Sequence, residues 1–145
     1  MKCRVIVDPQ HEEEVVVYTH ERTSLTDAIE RLVLEREVSL VGYRGEEILP
    51  LSLPEVQCFI VEGGKVYALC GEQRWQMKCR LYRLEDSLPL EFVKINQSCI
   101  ANIRQIERFT VSFGGSLKVC FKNGYSDHVS RRQMKAVKDR LGVTL

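Results

Sequence analysis

The sequence lacks the patterns on which membrane-spanning proteins and most enzymes depend. No apolar run approaches the roughly 20 residues needed to cross a bilayer. Its only histidines are His11, His20 and His128, and none has a nearby partner that suggests a catalytic triad. It also has no zinc-protease motif and no phosphate-cradling glycine motif. We therefore expect a cytoplasmic protein that is not an enzyme and needs no cofactor.

Cysteine is present but unclustered. No C-x-x-C pair occurs, and no histidine lies close to a cysteine, so neither a zinc site nor any other metal site is expected. Each cysteine lies in or beside an apolar run, which is typical of buried free thiols in a reducing compartment. The six are Cys3, Cys58, Cys70, Cys79, Cys99 and Cys120.

Charge is distributed unevenly along the chain, although the net charge is only +1. Residues 1–48 hold six Lys/Arg and eleven Asp/Glu, a net charge of −5. Residues 94–145 hold ten Lys/Arg and three Asp/Glu, a net charge of +7. A basic third of this kind is typical of a surface that meets phosphate, although such a surface can also be merely solvated.

Residues 1–38 are predicted to form an acidic β-β-α extension. The segments Lys2–Val7 and Glu14–Tyr18 have strand-like character and flank a turn. Ser24 begins an amphipathic helix whose apolar residues recur at helical spacing.

Residues 39–145 are predicted to form one mainly β domain, so the whole chain is α+β. Short strands alternate with turn signals, and Asn123-Gly124 marks a tight hairpin. Leu81, Leu84 and Leu88 predict a short helix, and Ser130 begins a final helix that ends at Gly142. The strands are predicted at 39–43, 46–51, 56–61, 65–70, 73–78, 92–95, 108–113, 116–121 and 125–129. A helix-turn-helix is not expected, because the basic third is mostly strand and loop.

The segment Phe92–Ile103, FVKINQSCIANI, resembles the signature F-x-R/K-x-(H/N)-x-S-x-(I/V)-x-N of LytTR DNA-binding domains. Further along, Gly115–Phe121, the turn Lys122–Gly124 and the segment Val129–Arg132 resemble the closing hairpins and last-helix entry of that family. Upstream, Pro54, Phe59 and Lys65–Tyr67 match its first half. The resemblance implies an elongated fold of short stacked antiparallel sheets whose loops enter successive major grooves of duplex DNA.

Carried onto this sequence, the resemblance implies four base-contacting residues. Asn96 and Gln97 fall in a loop before Ser98, and the Gln97 amide suits a bidentate contact to adenine. Arg132, at the start of the last helix, suits guanine. Lys65 lies in a turn that reaches another groove.

Five further residues are expected to contact phosphates: Lys94, His128, Ser130, Arg131 and Lys135. The basic face of the last helix could instead be only a solvated stripe. Asn102 is expected to bond a turn backbone, and Phe59 and Trp75 are expected in the core.

The resemblance is to a stand-alone transcription regulator, because residues 1–38 are too few for a phosphoacceptor receiver domain. It also implies a small membrane-embedded inhibitory partner protein. The extension could mediate a homodimer, formed at least on DNA, or could cover the basic surface and inhibit it. An RNA-binding β module and a protein-interaction adaptor are the alternatives to a duplex DNA regulator.

Overall fold

Short runs of β-branched, aromatic and other apolar residues, separated by turn residues, form most of the described chain. A computed structural model describes residues 1–35 and 40–142. The predicted boundary between residues 38 and 39 lies outside these described residues. Within them, no helix is long and apolar enough to cross a membrane.

The described residues contain three α-helices and ten strands, most of them close to their predicted bounds. The helices are α1 (Ser24–Glu35), α2 (Leu81–Ser87) and α3 (Arg131–Leu141). The strands are β1 (Val41–Arg44), β2 (Glu47–Pro50), β3 (Cys58–Glu62), β4 (Lys65–Cys70), β5 (Gln73–Met77), β6 (Phe92–Asn96), β7 (Cys99–Asn102), β8 (Ile106–Val111), β9 (Leu117–Phe121) and β10 (Ser126–Val129). The strand patterns did not predict β7, which lies within the signature segment.

The strands form two antiparallel sheets. The seven-stranded sheet has the order β2-β1-β5-β4-β3-β7-β6, and the three-stranded sheet has the order β10-β9-β8. Strands β3 and β4 form a hairpin through Gly63 and Gly64, whose φ angles of 59° and 77° suit a tight two-residue turn. The mainly β architecture of stacked short sheets that the sequence predicts is therefore confirmed.

The central strands of the large sheet are buried on both faces, because neighbouring residues contribute to different cores. Phe59 packs on one face, which α2 covers with Leu81 and Leu84. Ile60 packs on the other face, against the three-stranded sheet and α3. Phe59 and Trp75 are both buried, as expected from the sequence.

Two buried amides fasten the turns around these cores. Asn102 is fully buried, and its Nδ2 donates to the Val56 carbonyl at 2.9 Å while its Oδ1 accepts from the Arg104 N–H at 3.1 Å. The predicted turn-bonding role of Asn102 is confirmed. The Gln57 Oε1 accepts from the Gly71 N–H at 2.6 Å, which ties β3 to the β4–β5 turn.

The prediction of two strands in the extension is wrong for this chain. Residues 1–23 form no strand and no helix, and only α1 is regular. The alternation of Lys2–Val7 and Glu14–Tyr18 suits a strand, but a strand also needs a hydrogen-bonding neighbour. Neither segment finds one within the described residues, and the side chains of Val5, Ile6 and Val7 are exposed.

The cysteines are free thiols in different surroundings. Cys58, Cys99 and Cys120 are buried, as the sequence predicts, whereas Cys3 is exposed. Burial, with a smaller effect from the charge of Glu55, raises the pKa of Cys70 to about 11. That thiol therefore stays protonated at neutral pH, which makes it a poor nucleophile.

Gly42 on β1 is packed so closely that it gives a test of the large sheet. A Cβ atom at this position would lie 2.5 Å from the Cβ of Trp75. We expect Gly42→Ala to lower the free energy of unfolding by about 1–3 kcal/mol, because the strand must move away from Trp75. Chemical denaturation measures this, with the exposed Ile48→Ala as a control expected to change by less than about 0.5 kcal/mol. An unchanged Gly42→Ala midpoint would contradict the close packing.

Candidate nucleic-acid interface

Two of the predicted loops lie side by side because of the strand register. Glu62 pairs with Lys65 across the β3–β4 turn, and Asn96 pairs with Cys99 across the β6–β7 turn. Strands β3 and β7 are neighbours, and the Val61 N–H donates to the Ser98 carbonyl at 2.9 Å. Both turns therefore end at the same edge of the large sheet.

The start of α3 joins this edge through backbone contacts. The Ser130 N–H donates to the Ile95 carbonyl at 2.9 Å, so the entry to α3 lies beside the end of β6. We call these three segments the basic edge: the turn 63–65, the turn 97–98 and the helix start 130–132. The fold thus brings the predicted base-contacting segments together, although they are distant in sequence.

Asn96 has a different position from the predicted one. Its side chain is only 4% exposed and both ends of its amide are engaged. Its Nδ2 donates to the His128 carbonyl at 2.8 Å, and its Oδ1 accepts from the Ser98 N–H at 2.8 Å. An amide that is buried and already paired cannot also reach a base, so the geometry assigns Asn96 to holding the turn in place.

Gln97 and Ser98 are both exposed in the same turn, and Gln97 carries the longer polar side chain. Its side chain forms no hydrogen bond within the described part of the chain, whereas the neighbouring Asn96 is fully used. The turn therefore presents one free amide, with two donor hydrogens and a carbonyl oxygen, at the edge.

The first turn of α3 carries two exposed arginines and no acidic residue. Arg131 and Arg132 lie at the positive end of the helix dipole, where a cation is unfavourable by about 0.3–1 kcal/mol. Among the described residues, no carboxylate forms an ion pair with either arginine, with Lys65 or with Lys135. The free backbone N–H groups in the first turn of α3 favour an anion at this end. The edge therefore has a local electrostatic preference for a polyanion.

The remaining residues predicted to contact phosphates differ in their exposure and in whether their side chains already have partners. The Ser130 hydroxyl caps α3 by accepting from the Gln133 N–H, and its residue is only partly exposed. The His128 ring is exposed, with its Nδ1 3.2 Å from Asp127. Lys94 is half-buried, and its Nζ lies 3.6 Å from the Glu85 carboxylate on α2. Lys94 is therefore occupied by an internal ion pair and does not lie at the basic edge.

Two exposed cations that sequence reasoning missed extend the edge. Val66 pairs with Met77, so the residues after β5 emerge beside Lys65. These residues include Lys78 and Arg80, both exposed. The predicted β4–β5 hairpin would have found them if its register had been counted from the Gly71 turn.

Helix α1 lies at the opposite end of the sheet from the basic edge. The Arg31 guanidinium donates to the Leu88 carbonyl at 2.7 Å, just before the start of β6. The guanidinium of Arg140, near the C-terminal end of α3, bonds the nearby Leu90 carbonyl. Burial lowers the pKa of Arg140, and the neighbouring Arg31 lowers it further. The acidic helix therefore does not cover Arg131 or Arg132.

Comparison with protein families gives a match to the LytTr DNA-binding domain over residues 46–142. A solved LytTr DNA-binding domain from Bacillus cereus has the same fold, with a TM-score of 0.68 and 20% sequence identity. The similarity covers 73% of this chain and 99% of that one.

Curated relatives come from Staphylococcus aureus. An uncharacterized HTH-type transcriptional regulator of strain NCTC 8325 / PS 47 is 34% identical over 110 residues, covering 76% of this chain and 75% of that protein. The protein of the same description in strain MRSA252 has the same identity and coverage. Despite that description, strands intervene between successive helices of residues 1–35 and 40–142, so this part of the chain contains no helix-turn-helix.

Asn96 and Gln97 allow the positioning and contacting roles to be separated by stability. We expect Asn96→Ala to lower the free energy of unfolding by about 1–3 kcal/mol, because it removes a buried amide that bonds both the His128 carbonyl and the Ser98 N–H. Gln97→Ala, one residue away and exposed, should change stability by less than about 0.5 kcal/mol. Urea unfolding of the two variants measures both values, and equal small effects would argue against the buried role of Asn96.

Proposed function

Because the chain belongs to the LytTr DNA-binding domain family, we propose that it is a transcription regulator that selects duplex DNA sequences through its basic edge. The observation that carries this proposal is the convergence of three loops at one end of the sheet. Their cations lack acidic partners among the described residues, and a helix N-terminus faces the same side. Such a surface gains affinity by releasing counterions from phosphates.

Base selection is assigned to three residues whose side chains are exposed at this edge. Gln97 suits adenine, and the Arg132 guanidinium suits the O6 and N7 atoms of guanine. Lys65 extends from the neighbouring turn toward another part of the groove. Asn96 holds the turn that carries Gln97 and does not contact a base, because its amide is hydrogen-bonded within the domain.

Phosphate contact is assigned to the exposed polar groups around the helix start. Arg131 and Lys135 are exposed on α3, His128 is exposed on the preceding strand, and Ser130 contributes through the helix end that it caps. These groups would fix the orientation of the domain without choosing a sequence. The family membership favours this non-enzymatic role over a catalytic one.

The proposal extends to the setting in which the chain works. Its thiols, several of them buried, suit the reducing cytoplasm, where bacterial DNA is also found. We include in this proposal that a small membrane-embedded protein inhibits the regulator, as the family resemblance implies. Inhibition by the acidic extension covering the basic edge is disfavoured, because Arg31 of α1 contacts the other end of the sheet.

We also propose that the chain is a homodimer on DNA and that residues 1–18 contribute to its interface. Two segments with strand patterns lack partners within the described residues, and they expose Val5, Ile6, Val7 and Tyr18. Lys2 and Arg4 lie in one segment, and the acidic run 12–14 adjoins the other. Antiparallel addition to a second copy would pair these opposite charges and bury the valines.

The sequence-reading proposal is tested by selecting from random duplex DNA at near-physiological salt. We expect a motif to be enriched, and we expect Arg132→Ala to reduce discrimination by about 1–3 kcal/mol at one position of that motif. Lys135→Ala should weaken binding to all duplexes alike and lower the salt slope by about one. Equal losses by Arg132→Ala on cognate and scrambled duplex would contradict base reading, and a preference for single-stranded RNA would contradict the duplex proposal.

The dimer proposal is tested by light scattering with and without the selected duplex. Replacing Val5 and Val7 together by Asp should shift the mass on DNA from two chains toward one, because two charges would enter the shared interface. Ile48→Asp is the control, since Ile48 is also an exposed aliphatic residue and lies outside this segment, on β2. A double variant that keeps the wild-type mass would exclude residues 1–18 from the interface.

A further inference from the structure

The tip of the β8–β9 hairpin lies beside the basic edge. Val111 and Val129 both pair with Leu117, one from each neighbouring strand of the small sheet. The tip, residues 112–116, continues beyond this row at the end where β10 passes into Ser130. Nothing in the sequence pattern indicated that this hairpin would join the loops of the basic edge.

The tip has a defined conformation that presents one aromatic ring. The Ser112 N–H donates to the Ser116 carbonyl at 2.9 Å, and the Gly115 N–H donates to the Ser112 carbonyl at 3.0 Å. Gly114 has a φ of 92°, in the region that favours glycine. The tip is therefore closed by its own backbone bonds, and Phe113 is not needed to hold it.

Phe113 is fully exposed, with a relative accessibility of 109%. A single exposed apolar residue is ordinary on a protein surface. This one differs because it projects from a hairpin end next to unpaired cations, and because the half-exposed Val111 extends the apolar surface behind it.

The outer face of the small sheet is basic near this tip. Lys118 pairs with Thr110 on one side and His128 on the other, and paired residues share a face of the sheet. Lys118 and His128 are both exposed on that face. A polyanion that meets the basic edge would therefore find the Lys118 ammonium and the His128 ring along the hairpin, and the apolar ring at its end.

We propose that the hairpin tip is a fourth DNA contact, in which Phe113 packs against the sugars and base edges of a groove. This inference rests on the proposed function. An aromatic ring carries no charge to a phosphate, but it can bury its faces against deoxyribose and thymine methyl groups or wedge against a base step. The flanking Gly114 and Gly115 have no side chains to obstruct a close approach of the hairpin backbone.

The proposal is tested with the full chain and the duplex obtained by selection, using fluorescence anisotropy across a salt series. We expect Phe113→Ala to weaken binding about ten-fold, because burial of the ring is lost. The salt slope should stay at the wild-type value, because no counterion is released by an uncharged side chain. Phe113→Leu should recover part of the affinity. Lys118→Ala should instead lower the slope by about one.

A spectroscopic readout tests the contact directly. Phe113→Trp adds an exposed indole to a chain whose own Trp75 is only 4% exposed. Adding the duplex should shift the emission of this variant to shorter wavelength and protect it from iodide, whereas wild-type emission should change little. Ile48→Ala is the control for removing an exposed apolar side chain away from the basic edge, and its affinity should match wild type.

Three results would overturn the inference: wild-type affinity for Phe113→Ala within two-fold, an unshifted Phe113→Trp emission on saturation, or a changed chain mass for Phe113→Ala without DNA. The last result would assign the tip to contact between copies. Failure of the proposed function is distinguishable, because it would appear as no enriched duplex at all. Loss of discrimination by Arg132→Ala alongside a silent Phe113→Ala would leave the proposed function standing and remove only the hairpin contact.

Discussion

The arrangement of the basic edge depends on one buried amide, that of Asn96. It bonds the turn that carries Gln97 and, at the same time, the backbone at the end of β10. Together with the Ser130-to-Ile95 backbone bond, it fixes the entry of α3 relative to the large sheet. Gln97 lies in a turn of the large sheet and Arg132 lies in helix α3, so this joint is what gives them a constant separation. A surface that binds the regularly spaced bases of duplex DNA needs a fixed separation between its contact residues more than it needs any single contact.

Charged residues accumulate at the basic edge, where they do not stabilise the chain. Arg131 and Arg132 occupy the end of a helix where an acidic residue would be preferred. Two buried cores of apolar side chains, one on each face of the large sheet, supply the stability instead. A domain that is stabilised by its apolar cores tolerates an unfavourable placement of surface charge. The phosphates of bound DNA would make that placement favourable.

The fold class and most strands could be predicted from local patterns, because alternation and turn residues act over a few residues. The absence of strands from residues 1–23 could not be predicted, since a strand exists only with a neighbour and the pattern does not say whether one is present. The signature segment gave Asn96 and Gln97 the same role, although the structure gives them different surroundings. Only burial separates an amide that supports a turn from one that is presented to solvent. Lys94 met the same difficulty, because its partner Glu85 lies on the preceding helix, and the sequence pattern does not show how that helix packs against β6. Lys78, Arg80 and Phe113 were not predicted as contact residues, because their positions depend on register, which sets where a strand ends relative to its neighbours.

The position of α1 has a consequence for how this chain could be controlled. The Arg31 contact fastens the acidic helix near Leu88, and the loops of the basic edge lie at the far ends of the same strands. A molecule bound to the first 35 residues would therefore leave the loops of the basic edge sterically open. Such a molecule would not compete with DNA for the basic edge. It would act by moving the regulator away from the chromosome, or by changing how many copies arrive together, and a regulator tethered in that way could still be competent to bind DNA.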